Sequence, residues 1–149
     1  MSNNEGESRF SLPVRVYYED TDIGGTVYHA NFLKFMERAR TEWLPYSLGF
    51  ELDALRLHAG LLFVVRQAEI AYLRPALLND LLTVTVDLDA GGKASMDFVQ
   101  EIRRAADATL CCRGRIKIVC IDAKTLRPKR VPERLSAELA DVRLSLIHI

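Results

Sequence analysis

The strongest constraint on the fold is a change of hydrophobic period that happens once. From Ala30 the apolar residues Phe32, Phe35, Met36, Ala39 and Trp43 recur at helical steps, while Lys34, Glu37, Arg38 and Thr41 fall on other faces, the stripe of an amphipathic helix. Pro45 disfavours helical geometry at Leu44, and Gly49 can cap the turn after it. About fifteen residues, near 22 Å, are therefore expected to be helical before a kink or stop. Most of the remaining chain to about Asp122 alternates with period two. Phe10 to Tyr18 puts Val14, Val16 and Tyr18 on one face, with Pro13 marking an edge or an entry. Further strand patterns run from Leu61 to Leu73, Leu81 to Asp89, Ala94 to Arg104 and Thr109 to Ile121, and Gly91-Gly92 suits a hairpin turn. Cys112, Gly114, Ile116, Ile118 and Cys120 alternate with Arg113, Arg115 and Lys117, so the sheet has one dry face. One helix stripe and one apolar sheet face satisfy each other, which predicts an α+β fold: a long helix wrapped by an antiparallel sheet of about five strands.

A chain of 149 residues is expected to form a single domain, 1–149, that buries roughly two-thirds of its unfolded surface. Residues 1–9 and 142–149 are expected to be peripheral or disordered. A short helix is expected from Pro132 to Asp141, and the closing LSLIHI fits no pattern. Lys plus Arg and Asp plus Glu both number 20, so no global field points to nucleic acid or to an anionic membrane. The polar, acidic start MSNNEGESRF does not read as a signal peptide, and no run approaches the 18 or more apolar residues of a spanning helix. A cytoplasmic protein is expected, with peripheral association with the inner membrane left open. Cys111, Cys112 and Cys120 lack a disulfide framework or zinc-ligand spacing and read as buried reduced thiols.

Chemistry concentrates in Tyr17 to Asn31, YYEDTDIGGTVYHAN, where a strand gives way to the start of the helix. A helix start offers unsatisfied N–H groups and a positive dipole end, suited to a carbonyl oxygen about to become an anion. Asp22, a few residues upstream, can supply a carboxylate that attacks a carbonyl carbon or takes a proton from the water that does. Asp and Gly are also ordinary turn residues. A calcium loop starting at Asp20 is rejected, because Gly24 then falls on a ligand position and Asn31 where a bidentate Glu belongs.

The run Glu-Asp-Thr-Asp-x-Gly-Gly-x-Val-Tyr-His at Glu19 to His29, preceded by Val14 to Tyr18 and followed by Glu37-Arg-Ala-Arg-Thr-Glu42, closely resembles the tol-pal system-associated acyl-CoA thioesterases. These are hotdog-fold enzymes of the 4-hydroxybenzoyl-CoA thioesterase type. The resemblance continues through Phe63-Val-Val-Arg66, Tyr72-x-x-Pro75 and Val119-Cys-Ile-Asp122, over most of Leu12 to Pro132.

It implies a thioester hydrolase with a sheet of five or six strands. Asp22 is then nucleophile or general base. The N–H of His29 polarises the thioester carbonyl, and its imidazole helps place substrate or water. Gly25, Val27 and Tyr28 fall at the substrate, and Asp20 becomes structural. Some relatives carry the acid on the helix, which keeps Glu37 and Glu42 in reserve. Their other reading is as solvent-facing partners of Arg38 and Arg40. The resemblance also implies a homo-oligomer, dimer or tetramer, with the site between subunits. No metal is expected, and no cofactor beyond the coenzyme A of the substrate. Seven basic residues lie between Arg113 and Arg130 against Asp122 alone, a patch able to hold phosphates. Lys93, beside Gly91-Gly92, is the best single phosphate candidate. Acyl carrier protein stays open as an alternative thioester carrier. Two other readings remain: a hotdog dehydratase or hydratase acting on an acyl thioester, and a non-catalytic acyl-thioester-binding protein.

Overall fold

The alternating segments become five strands and the apolar stripe becomes one long helix. The computed structural model describes residues 10–49 and 51–131, so the expected helix from Pro132 and both chain ends lie outside the described residues. Strand β1 spans Phe10–Arg15 and is followed by a single 3-10 turn at Tyr18–Asp20. Helix α1 spans His29–Leu48 and α2 Leu52–Ala59. Then come β2 (Leu61–Tyr72), β3 (Leu81–Gly91), β4 (Ser95–Arg104) and β5 (Leu110–Asp122). They form one antiparallel five-stranded sheet in the order β1-β3-β4-β5-β2. In its first rung Phe10 faces Val86, and in its last Arg15 faces Leu81.

Two expectations are corrected, and one further helix is present. The helix does not stop near Pro45: it continues to Leu48 with the proline inside it. It ends where Gly49 at φ 77° sends its N–H back to the carbonyl of Pro45 at 2.8 Å, a left-handed cap that glycine adopts without steric cost. Helix α2 was not foreseen, because eight residues give a periodic signal too little length. Tyr18 does not continue the inward face of Val14 and Val16. Those two are buried, whereas the chain winds into the 3-10 turn and leaves Tyr18 exposed.

The described residues fall into two compact units. The first takes those up to Trp43 together with Ile70–Asp87 and Gln100–Gly114. Its core joins Phe32, Phe35, Met36 and Ala39 of α1 to Val14, Val16, Leu82, Val84, Val86, Ile102 and Cys112, all buried. Gly114 lets α1 come close: a Cβ there would stand 2.9 Å from both Met36 Sδ and Ile70 Cδ1. Gln100, fully buried, stitches the helix to the sheet. Its Nε2 donates to the carbonyls of Met36 (3.0 Å) and Thr85 (3.2 Å), and its Oε1 accepts from Arg40 Nη1 at 2.8 Å. The second unit takes Leu44–Glu69, Leu88–Val99 and the chain from Arg115 on. Leu55, Leu61, Met96, Phe98, Ile116, Ile118, Cys120 and Val131 are its buried core.

Candidate active site

The strand–helix junction is a closed hairpin rather than a loose loop. Asp20 is used up locally: its Oδ2 accepts from the N–H of Tyr17 at 2.8 Å, and its carbonyl accepts from the N–H of Tyr28 (3.0 Å) and from Asn31 Nδ2 (2.9 Å). A bridge between Thr21 and Val27 continues the hairpin, and the N–H of Asp22 donates to the carbonyl of Thr26 at 2.9 Å. At the tip the N–H of Gly25 returns to the carbonyl of Asp22 at 3.0 Å. Gly25 does so at φ 80°, whereas Gly24 stays out of the left-handed region, so only one of the two glycines is needed for backbone reasons.

Asp22 is held by its own turn. The N–H of Gly24 (3.0 Å) and the hydroxyl of Thr26 (3.4 Å) donate to Oδ1, and Oδ2 has no partner among the described residues. The side chain is exposed. Two residues separate it from the rung where Asp20 meets Tyr28, about 7 Å of extended chain. No hydrogen bond joins Asp22 to His29. The carboxylate and the helix start thus belong to one hairpin, with Asp22 exposed and Oδ2 without a partner among the described residues.

His29 opens α1. Its N–H and that of Ala30 come before the first intrahelical donor, and no acceptor among the described residues reaches them. Twenty residues of aligned peptide dipoles stand behind these groups, which favours negative charge in front of them. Asn31 fixes the entry angle through its bond to Asp20. The imidazole of His29 is exposed and makes ring contacts only: Tyr28 at 4.6 Å between centroids and Tyr72, from the end of β2, at 5.7 Å and 82°. Loss of water around the Tyr72 hydroxyl, with a further contribution from Cys112, raises its pKa above the ordinary phenol value.

A second loop braces the first. The N–H of Val27 donates to the carbonyl of Ala76 at 2.8 Å and that of Leu78 to the carbonyl of Gly25 at 3.3 Å. Asp80 Oδ2 accepts from the N–H of Leu77 (2.9 Å) and from Arg104 Nε (3.2 Å), while Arg104 Nη2 reaches the carbonyl of Pro75 at 3.0 Å. Its carboxylate partners Asp80 and Asp107 raise the Arg104 pKa, so the brace is a charged clamp.

Asp22, Gly25, Tyr28 and His29 thus share one hairpin and helix start. Val27 is there too, but its side chain is buried and its N–H is committed to Ala76, leaving it a wall of the loop. Lys93 belongs to the second unit, where it is exposed in the turn between β3 and β4 and its Nζ has no partner among the described residues. Glu37 and Glu42 are exposed on α1. Glu37 accepts from the Thr41 hydroxyl at 2.6 Å, and its charge acts on Arg40. The basic run is largely neutralised in space: Arg113 pairs with Glu101, Arg115 with Asp89 and Asp97, Lys117 with Asp97, and Lys129 with Asp122. Among the described residues no three His, Cys, Asp or Glu side chains converge as a metal site, and no helix is long and apolar enough to cross a membrane. Asn31 closes the segment already singled out, though sequence reasoning gave it no role, and that reasoning missed Tyr72 and the Arg104–Asp80 clamp. Only the Tyr72-x-x-Pro75 motif pointed toward any of them.

Comparison with known proteins places this arrangement. The model of the thioesterase-like superfamily matches residues 16–139. The acyl-CoA thioester hydrolase YbgC of Escherichia coli O6:H1 is 40% identical over 129 residues, covering 87% of this chain and 94% of that protein. The acyl-CoA thioesterase YbgC of Haemophilus influenzae is 40% identical over 131 residues, covering 88% and 94%. Among solved structures, a probable thioesterase from Bartonella henselae superposes with a TM-score of 0.77 at 33% identity, over 84% of this chain and 100% of that one.

Proposed function

The chain belongs to the thioesterase-like superfamily, and from that membership we propose that it hydrolyses acyl-CoA thioesters to the free acid and coenzyme A, with Asp22 as the reacting carboxylate. The observation that carries this is the pairing, within one hairpin, of a carboxylate whose Oδ2 is unspent with a helix start whose first N–H groups lack acceptors. The hydrolytic activity carried in the names of the YbgC relatives supports it. Asp22 attacks the acyl carbon, or takes a proton from the water that does. The carbonyl oxygen becomes negative in front of the N–H of His29, and the carbon–sulfur bond breaks to release the thiolate of coenzyme A; where Asp22 itself attacked, water then hydrolyses the Asp22–acyl anhydride to the free acid and restores the carboxylate. One oxyanion donor of this kind is typically worth about 2.7–4 kcal/mol of barrier.

The reading extends to a homo-oligomer, dimer or tetramer, whose second copy completes the site. The open edge of β2, with Val64 and Val65 exposed, supports it. It also covers a cytoplasmic enzyme with peripheral access to the inner membrane, and acyl carrier protein as an alternative carrier. Lys93 takes a phosphate of coenzyme A. Lys93→Ala is then expected to raise KM severalfold for acyl-CoA and leave kcat and the KM for acyl-pantetheine unchanged.

Asp22→Asn tests the core of the proposal. The amide keeps the turn acceptor but cannot attack or take a proton, so turnover should fall by about 10²–10⁴-fold in a thiol-release assay across a panel of acyl-CoAs and acyl carrier protein. Unchanged turnover in the purified variant overturns the assignment. Formation of an enoyl product without thiol identifies a dehydratase instead.

A further inference from the structure

The imidazole of His29 is oriented without a hydrogen bond. No donor or acceptor among the described residues reaches either ring nitrogen, and two aromatic rings flank it. Tyr28 is the neighbouring residue in the chain and half-exposed. Tyr72, exposed to a similar degree, arrives from another element and is tied down through the chain beside it. The N–H groups of the next two residues, Leu73 and Arg74, both donate to the carbonyl of Cys111 at 2.8 and 3.1 Å. Two residues earlier on the same strand face, Ile70 reaches the space beside Gly114, as Met36 of α1 does. Tyr72 also meets Phe32, one turn into α1, at 6.0 Å, and Phe32 packs against Phe35 at 6.3 Å and 88°. The ring beside His29 is therefore set by the helix–sheet core.

We propose that Tyr72 is a positioning residue for His29, its ring holding the imidazole in one orientation at the start of α1 while leaving both imidazole nitrogens available to the substrate. The inference rests on the reading of Asp22 and His29 as the hydrolytic pair. A perpendicular ring contact suits this task, because aromatic pairs prefer edge-to-face geometry at centroid distances of about 4.5–7 Å and use no lone pair. The ring carries the effect and the hydroxyl does not.

The test is a set of purified full-length variants assayed for thiol release on the acyl-CoA that turns over fastest. Tyr72→Leu should lower kcat by about 2- to 12-fold with KM changed by less than about 2-fold, and Tyr72→Phe should retain wild-type kcat. In a histidine-ring 1H–13C spectrum, the resonance that vanishes in His29→Gln should move in Tyr72→Leu and stay in place in Tyr72→Phe. Adding Tyr72→Leu to His29→Gln should cost nothing further. Undiminished kcat in Tyr72→Leu, an equal loss in Tyr72→Phe, or losses that multiply in the double variant each overturn the proposal. If the leucine variant does not fold, Tyr72→Met carries the same comparison. An active Asp22→Asn overturns the hydrolytic reading itself, whereas an inactive Asp22→Asn beside a normal Tyr72→Leu overturns only the role of Tyr72.

Discussion

The three cysteines show how strongly burial sets the chemistry of a single residue. All are buried and free. Burial pushes the Cys112 thiol up to about 12 and that of Cys120 up to about 11, and it raises Cys111 as well. A thiol whose pKa is higher in the folded than in the unfolded state stabilises the fold fully below the ordinary thiol range. The unfolded chain releases its protons first as pH rises, so that contribution is lost between about pH 9 and pH 12. Denaturant midpoints should therefore fall as pH climbs through that window, and iodoacetamide at pH 8 should label the unfolded chain while sparing the native one. Rapid labelling of native protein contradicts the burial. At this scale a residue's place was readable wherever it is set locally: Asp22 and His29 stand in a contiguous motif that folds into one hairpin and helix start, and Cys112 and Cys120 sit on a strand's apolar face. Tyr72 and Arg104 escaped because they act on residues far away in the chain, and no periodicity records such a pairing.

Between elements, α1 comes close to the sheet at Gly114. On sequence Gly114 is one small member of the apolar face of β5. In the fold it is the gap into which Met36 and Ile70 fit. Gly114→Ala introduces a methyl where both neighbours are 2.9 Å away, and overpacking of this kind costs about 1–3 kcal/mol. Ile70→Val removes the Cδ1 involved, so the double variant should recover part of that loss in chemical denaturation. A Gly114→Ala as stable as wild type shows that the interface yields freely. The strands and the helix stripe were legible because they span many residues of regular period. The end of α1 was not. Pro45 lacks one backbone donor and strains one turn, yet Leu44 on the apolar side is buried and Gly49 supplies a cap a turn later, so tertiary burial outweighs the local penalty.

At the level of the whole molecule the two edges of the sheet are unequal. Strand β1 is 6 residues long and carries Pro13, which offers no N–H to a neighbour. Strand β2 is 12 residues long, contains no proline and exposes Val64 and Val65. A long, proline-free edge of this kind, although it also carries Arg66, Gln67 and Glu69, is a template for another strand. Symmetric antiparallel pairing of two β2 strands requires a two-fold axis normal to the sheet. Such an axis keeps faces on the same side, so the second copy brings its own helix-bearing face alongside the one that carries Tyr72. Pairing of this kind would add a second wall beside His29, which is exposed in the single chain. Val65→Lys places a charge on this edge and should blunt the pairing without touching Asp22, His29 or the core of α1. Sedimentation velocity should show a smaller species, circular dichroism an unchanged fold, and thiol release a turnover per subunit that falls with the assembled fraction. A variant that sediments as a monomer with full turnover places the complete site within one chain and removes the second copy from the mechanism.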